Sequence, residues 1–251
     1  VLRAEFSDPR MVAVYDAEHV WGWEHDFFMS ALAERISPRV LHFGCGTGRL
    51  AIAMAAAGHQ VTAVERAAPA LDAARRKPGA ARVRWVEGAA DVLDARAYET
   101  VLLTDHVAQL FVDDDQWSSV LVRLRRALVP GGRLILDSRD PGFARWTTWN
   151  PVESRRTVVL PDGVTVDAWD EVTDAAEPTV TVAHHYAFTG GEQLTSSGTL
   201  RFRTEAELRS TVEDAGFDVD RVYGGWAREP AGLSSDGELL LFAVTRPQRT
   251  G

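Results

Sequence analysis

The sequence predicts an α/β fold: a doubly wound, mostly parallel sheet with helices on both faces, plus a small antiparallel β insertion. Three observations carry that expectation. Between residues 39 and 138, short apolar runs alternate with stretches of helical periodicity, the pattern of a parallel sheet covered on both faces. After about residue 150 the texture changes to β-rich runs around turn residues. Near residue 204 a helix signal resumes, followed by two more strands.

Taken in order, "RMVAVYDAEHVWGWEHDFFMSALAERI" reads as two helices ahead of the sheet. Candidate strands follow at 39–43, 60–64, 82–86, 100–104 and 133–138. Between them lie "RLAIAMAAAG", ending on a helix-stopping glycine, "APALDAARRK", stopped by Pro78, and "DQWSSVLVRLRRAL" before "VPGG". Asp113–Asp115 suits a helix start, where acids oppose the positive end of the helix dipole. "RRTVVLPDGVTVDAWDEV" is a hairpin signal around Pro-Asp-Gly, and two further strands flank Gly190-Gly191. These three or four strands are expected to form a small sheet added to the main one. Thr204 with Glu207 three residues on is a capping box, and Gly216 is the stop. The expected division is a helical cap (1–37), a cofactor-binding domain (38–150 and 204–251) and the β insertion (151–203).

Composition narrows the function classes. Asp plus Glu outnumber Lys plus Arg, 36 to 27, for a net charge of −9. Nucleic-acid binding rests on cationic surface that releases counterions. The short basic clusters, "RRK" at 75–77 and "RLRR" at 123–126, read as solvated helix faces. A small-molecule partner is therefore expected, with nucleic acid disfavoured. No apolar run approaches the ~18–20 residues of a membrane span, and no secretory signal is apparent, so a cytoplasmic location is expected. The single cysteine, Cys45, excludes an internal disulfide and fits a reducing compartment. Inside a glycine loop it reads as a packing residue rather than a nucleophile.

That loop carries the chemistry. Gly44, Gly46 and Gly48 form G-x-G-x-G between a strand and a helix, where backbone and helix N-terminus can approach a ligand. A dinucleotide fingerprint needs a small residue at position 49, which is Arg49, and the Gly-Lys-Ser/Thr of a triphosphate loop is absent. Glu65 ends the second strand, placed to accept both ribose hydroxyls of an adenosine. "VLHFGCGTG", "AVERA", "WVEGAADVL" and "LVPGGRLILDSR" together resemble the class I S-adenosylmethionine-dependent methyltransferases. The resemblance covers most of the chain and implies a Rossmann-like, seven-stranded sheet with S-adenosyl-L-methionine as cofactor. It implies that Gly44, Cys45, Gly46 and Gly48 hold the methionine end, and Glu65 the ribose. Arg66, Ala89, Ala90 and Thr104 would complete the pocket, while Tyr15 and His25 cap it from the N-terminal helices, with Trp23 and Phe27 as further candidates. Two departures stand out: His42 where the family often has an acid, and Ala89 where it often has another, whose adenine contact Asp91 or a backbone carbonyl would replace.

Methyl transfer is an in-line displacement served mainly by proximity and alignment. At the fourth strand's exit, "TDHVAQLF", His106 is the candidate base and Asp105 a candidate N-cap. The residues there do not match the Asp/Asn-Pro-Pro-aromatic pattern of nucleobase amino-methyltransferases. Trp146 and Trp149 are candidate acceptor walls or ties between the two sheets. His184 and His185 alternate on a strand, so at most one faces a pocket and no joint metal site is expected. The expected enzyme methylates a small molecule as a monomer or homodimer, with a protein acceptor as the second form. The alternatives are an NAD-dependent oxidoreductase, which fails at Arg49, and a non-catalytic S-adenosylmethionine-binding protein.

Overall fold

Four of the five residues of β1 (Arg39–Phe43) are buried, because this strand lies at the centre of a sheet covered on both faces. The computed structural model describes residues 4–246, so the extreme ends of the expected outer segments, 1–3 and 247–251, lie outside the described residues. The main sheet has seven strands in the order β10 (Phe217–Tyr223), β11 (Glu238–Thr245), β5 (Leu128–Arg139), β4 (Tyr98–Leu103), β1, β2 (Gln60–Glu65) and β3 (Val83–Glu87). β1 to β5 are mutually parallel, while β11 runs antiparallel to both of its neighbours. The strand order reverses between β1 and β4, which opens a crevice at their carboxyl ends.

Strand alternation divides the core between the two faces of this sheet. Leu41, Phe43, Val101 and Leu103 pack on α5 (Asp114–Ala127) and α6 (Glu205–Asp214). Val40, Leu102 and Ile135 pack on α2 (Trp23–Ala33) and α3 (Arg49–Ala56). The helix boundaries have local causes. Asp113 caps α5 by accepting from Gln116 N, with Asp114 and Asp115 in the first turn. Thr204 and Glu207 form the expected capping box of α6.

The insertion is a separate sheet rather than an extension of the main one. β6 (Arg156–Val159), β7 (Thr165–Ala176), β8 (Thr179–Phe188) and β9 (Gln193–Arg201) form a four-stranded antiparallel meander. Its inner face is covered by α1 (Pro9–Glu18), whose Met11 and Val14 pack on Val158, Val166, Ala168 and Tyr186. The other side of α1 packs Val12, with Phe6, against Ala67 and Ala70 near the start of α4 (Ala68–Arg76). One helix thus joins the two sheets.

The basic cluster at 75–77 corrects the sequence expectation. Arg75 and Arg76 are exposed, but Lys77 is not a solvated residue. Its Nζ donates to Asp16 Oδ1 (2.6 Å) and Thr47 O (2.8 Å). Asp16 Oδ1 also accepts from Thr47 Oγ1 (2.6 Å) and Arg49 Nη2 (3.2 Å), while Arg49 reaches the carbonyls of Asp16 and His19. One carboxylate therefore ties α1 to the glycine loop. Asp16→Asn leaves two cations partly buried without their counter-charge, an expected loss of about 1–3 kcal/mol in denaturant unfolding. Amide exchange should accelerate in α1 more than in β1; equal exchange in both would show that Asp16 is not the tie.

Candidate functional site: a glycine loop between two of three neighbouring cavities

The loop after β1 turns through left-handed backbone at Gly44, Gly46 and Gly48, with φ of +75°, +52° and +77°. Gly44 N and Cys45 N donate to Val64 O at 2.8 and 3.1 Å, binding the turn to the end of β2. Gly48 is also required by packing, since a Cβ there would lie 2.3 Å from the Trp85 ring. Cys45 is 5% exposed and burial pushes its thiol well above the ordinary range, so it packs rather than reacts. Glu65 is buried, and its carboxylate accepts from Gly46 N (3.1 Å), Arg66 N (2.7 Å) and Ala67 N (3.0 Å). The residue expected to face a ligand thus also fixes the loop and the exit of β2.

Three cavities meet at this edge of the sheet. The first, about 400 Å³, is bordered by Gly44, Glu65, Arg66, Gly88, Ala89 and Val107, and by Asp115, Gln116 and Ser119 of α5. The second, about 70 Å³, lies beneath α1 and α2 among Tyr15, His25, His42, the 44–48 loop, Thr104 and Asp105. The third, about 420 Å³, lies between the main sheet's edge and the four-stranded sheet. His106, Arg139 and Trp149 border it from one side, Arg156, Asp170 and His184 from the other. Gly44 borders the first two cavities, and Tyr15, His19 and Asp105 border the last two.

Most of the residues singled out from sequence come together here, and some do not. Ala90 is buried in the core rather than on a cavity wall. Asp91 is exposed and does not border the first cavity, where Asp115, Gln116 and Ser119 of α5 stand with Glu65 and Arg66. Trp23 is 80% exposed, and Phe27 packs among Trp226, Phe242 and Tyr223. Trp146 and Trp149 both lie against Phe202, and Trp149 also reaches the third cavity. His184 borders that cavity and bonds Asp170 Oδ1 (2.6 Å), whereas His185 stacks on Trp169.

At the exit of β4, Asp105 and His106 both adopt left-handed backbone, φ +58° and +59°. Asp105 is therefore not an ordinary N-cap. Two contacts hold this costly geometry: Tyr15 OH donates to Asp105 Oδ2 (2.5 Å), and His106 N donates to Asp137 Oδ1 (3.0 Å). His106 Nε2 lies 2.9 Å from Glu238 Oε2. Burial pushes the Asp137 carboxyl up to about 6. Sequence reading passed over Glu238, Asp170 and Arg156, since only tertiary pairing brings them here. Asp137 had a signal, an acid at the carboxyl end of a strand.

The two pockets fit a nucleoside bearing an amino-acid tail. Glu65 at the larger cavity suits a sugar diol, and the smaller pocket has loop backbone and the N-terminal turn of α3. His42 supplies the decisive atom. Its Nε2 is 2.9 Å from Thr104 Oγ1, while its buried Nδ1 has no hydrogen-bond partner. Burial pushes this imidazole down to about 4, so at neutral pH it is an uncharged ring able to accept from an ammonium.

A methyltransferase-domain family model matches residues 40–132. The cypemycin N-terminal methyltransferase of a Streptomyces species is 31% identical over 207 residues, 81% of this chain and 82% of that protein. The chain belongs to the S-adenosylmethionine-dependent methyltransferases. Its cofactor is S-adenosyl-L-methionine, and the oxidoreductase and non-catalytic alternatives fall away. The CcbJ methyltransferase of Streptomyces caelestis shares the fold with a TM-score of 0.71 at 24% identity, over 89% of this chain and 94% of that one. So does CalS10, an amino pentose methyltransferase of Micromonospora echinaspora solved with the cofactor bound, with a TM-score of 0.68 at 22% identity over 93% and 95%. No helix among the methyltransferase's described residues is long and apolar enough to cross a membrane.

Asp137 gives this methyltransferase a testable acid-base signature. Its folded value of about 6 lies above the 3.8 of an ordinary Asp, so the penalty of a buried charge is absent below pH 3.8 and complete above pH 6. Asp137→Asn keeps an oxygen for His106 N and is expected to stabilise the fold at pH 8 by on the order of 2–3 kcal/mol. That gain should vanish near pH 4 in urea unfolding. A gain that does not change with pH would mean that Asp137 is not a buried titrating group.

Proposed function

We propose that this methyltransferase transfers the methyl group to an amine of a small molecule held in the cavity between the two sheets. One observation carries the reading: the charge of that cavity's wall. Glu5, Glu18, Asp105 and Asp170 face two guanidiniums, Arg139 and Arg156. Arg156 is already paired with Glu18 and with Asp170 (3.0 Å). Four carboxylates against two guanidiniums make the wall acidic on balance, which suits a cationic acceptor, and a cavity of about 420 Å³ takes a small molecule or the terminal residue of a peptide. Relatives support the choice of nitrogen, since one acts at an N-terminus and another is a sugar N-methyltransferase.

In this reading Glu65 accepts from the ribose hydroxyls, and Arg66 lies along the base at the exposed rim. The 44–48 loop with His42 Nδ1 holds the methionine tail, and Tyr15 and His25 close the pocket. The bound cofactor supplies an electrophilic methyl group on its sulfonium. The protein contributes alignment, because Gly44, Tyr15 and Asp105 border neighbouring cavities and fix the two ligands relative to one another. An ammonium has no lone pair and must lose a proton before it attacks. His106 takes that proton, steadied by Glu238 beside its Nε2. The insertion serves as the acceptor wall, which makes 151–203 a substrate-binding unit and the remaining described chain the cofactor domain with its helical cap.

Calorimetry with S-adenosylmethionine is the first test. Glu65→Ala should weaken binding by about 10- to 100-fold, the value of a charge-assisted hydrogen bond pair. Unchanged affinity would remove Glu65 from the ribose. In turnover assays with matched amines and alcohols, only the amines should be methylated. His106→Ala should lower kcat by roughly 10²-fold without changing cofactor affinity. Methylation of the alcohols alone would sink the amine reading.

A further inference from the structure

We infer that Gly198 sets the size limit of the acceptor, acting as a specificity-determining residue on the four-stranded sheet. The inference rests on the proposed use of the cavity between the sheets and adds the group that decides what fits. A glycine in mid-strand needs a reason, because it weakens the strand and packs nothing. Among the described residues, each of the other glycines has one. Each either adopts a left-handed φ or has atoms within 3.2 Å of the place a Cβ would occupy. Gly198 has neither: its φ lies outside the left-handed region, and a Cβ there meets nothing within 4 Å. The backbone at 198 accepts a side chain, and its first carbon would enter open space.

The open space is the acceptor cavity. Gly198 sits within β9, pairs with Val182 of β8 and borders the cavity together with Val182, His184 and Leu200. Strand alternation puts Ser196, Gly198 and Leu200 on one face, and their register partners are His184, Val182 and Val180. The face therefore has a polar rung, Asp170–His184, next to a gap flanked by Val182 and Leu200. The gap receives a ring or branched apolar group of the acceptor, and the rung receives an adjacent polar substituent. A side chain at 198 would occupy the gap without straining the sheet.

The test sets stability against size selectivity. Gly198→Val should fold at least as well as the parent, since valine is the better strand former. Its affinity for S-adenosylhomocysteine should stay within two-fold by calorimetry. Ethylamine, cyclohexylamine and 1-adamantylamine are offered with S-adenosylmethionine to the parent, Gly198→Ala and Gly198→Val. For the bulkiest amine the parent methylates, KM should rise at least ten-fold in Gly198→Val and less in Gly198→Ala, with little change for ethylamine. An unchanged size limit overturns the inference, as does a parallel loss of S-adenosylhomocysteine affinity. A parent that binds the cofactor and methylates no amine counts against the amine reading instead. Gly198 is then judged by thiol labelling. Gly198→Cys should react with 2-aminoethyl methanethiosulfonate at least ten-fold faster than buried Cys45 of the parent, yet resist a 5 kDa maleimide-polyethylene glycol that labels Ser197→Cys. An unreactive thiol, or one open to the polymer, shows that position 198 does not face an enclosed cavity.

Discussion

The carboxylate of Asp16 is the interaction on which the arrangement depends. The N–H groups of Gly44, Cys45 and Gly46 are committed to β2 and Glu65, so they do not hold a neighbouring helix. Asp16 supplies the attachment by gathering Thr47, Arg49 and Lys77 at one oxygen. With α1 held there, Tyr15 is placed over Asp105, and Glu18 is brought to Arg156 of the four-stranded sheet. Remove the attachment and α1 still has two apolar faces to bury and Arg49 still reaches the carbonyls of Asp16 and His19, but the contacts to Thr47 and Lys77 that set its register are lost. The apolar contacts provide stability, and the ionic ones provide position.

A second fastening lies where the insertion returns to the main sheet. Arg203 is 2% exposed, and its guanidinium donates to Phe111 O (2.8 Å) and Ala108 O (3.3 Å), pairs with Asp114 (3.1 Å) and lies 5.2 Å over the Trp117 ring. It stabilises the segment after His106, where Leu110 forms a wall common to the first and third cavities. Both ends of the four-stranded sheet are thus tied to residues that shape the site.

The fold was legible in the sequence because sheet and helix periodicities are local. The run at 39–43 matches β1 residue for residue, since its apolar positions are contiguous enough to mark a strand buried on both faces. β5 was read as 133–138 but extends back to Leu128, because main-chain pairing with Tyr98 carries the strand beyond what side-chain patterning marks. The small antiparallel sheet of the insertion was legible from its hairpin turns, which mark strands that pair with their sequence neighbours. The glycine loop and Glu65 were legible for the same local reason as β1. Arg156, Asp170 and Glu238 were not, because each reaches the site through a pairing between distant segments. Lys77 was misread for a related cause: a basic residue at a helix end looks solvated until a second helix brings Asp16 to it.

The reversed direction of β11 has a consequence for how the protein comes into being. Parallel strands deliver their last residues to the reactive edge, but a strand running backwards delivers its first. Glu238 therefore meets His106 across 132 positions, opposite Arg139 in the sheet register. The opposite flank is contributed by Tyr15, near the other end of the chain. A polypeptide emerging from the ribosome thus has its cofactor loop early but cannot assemble the full set of groups around His106 until β11 has been released.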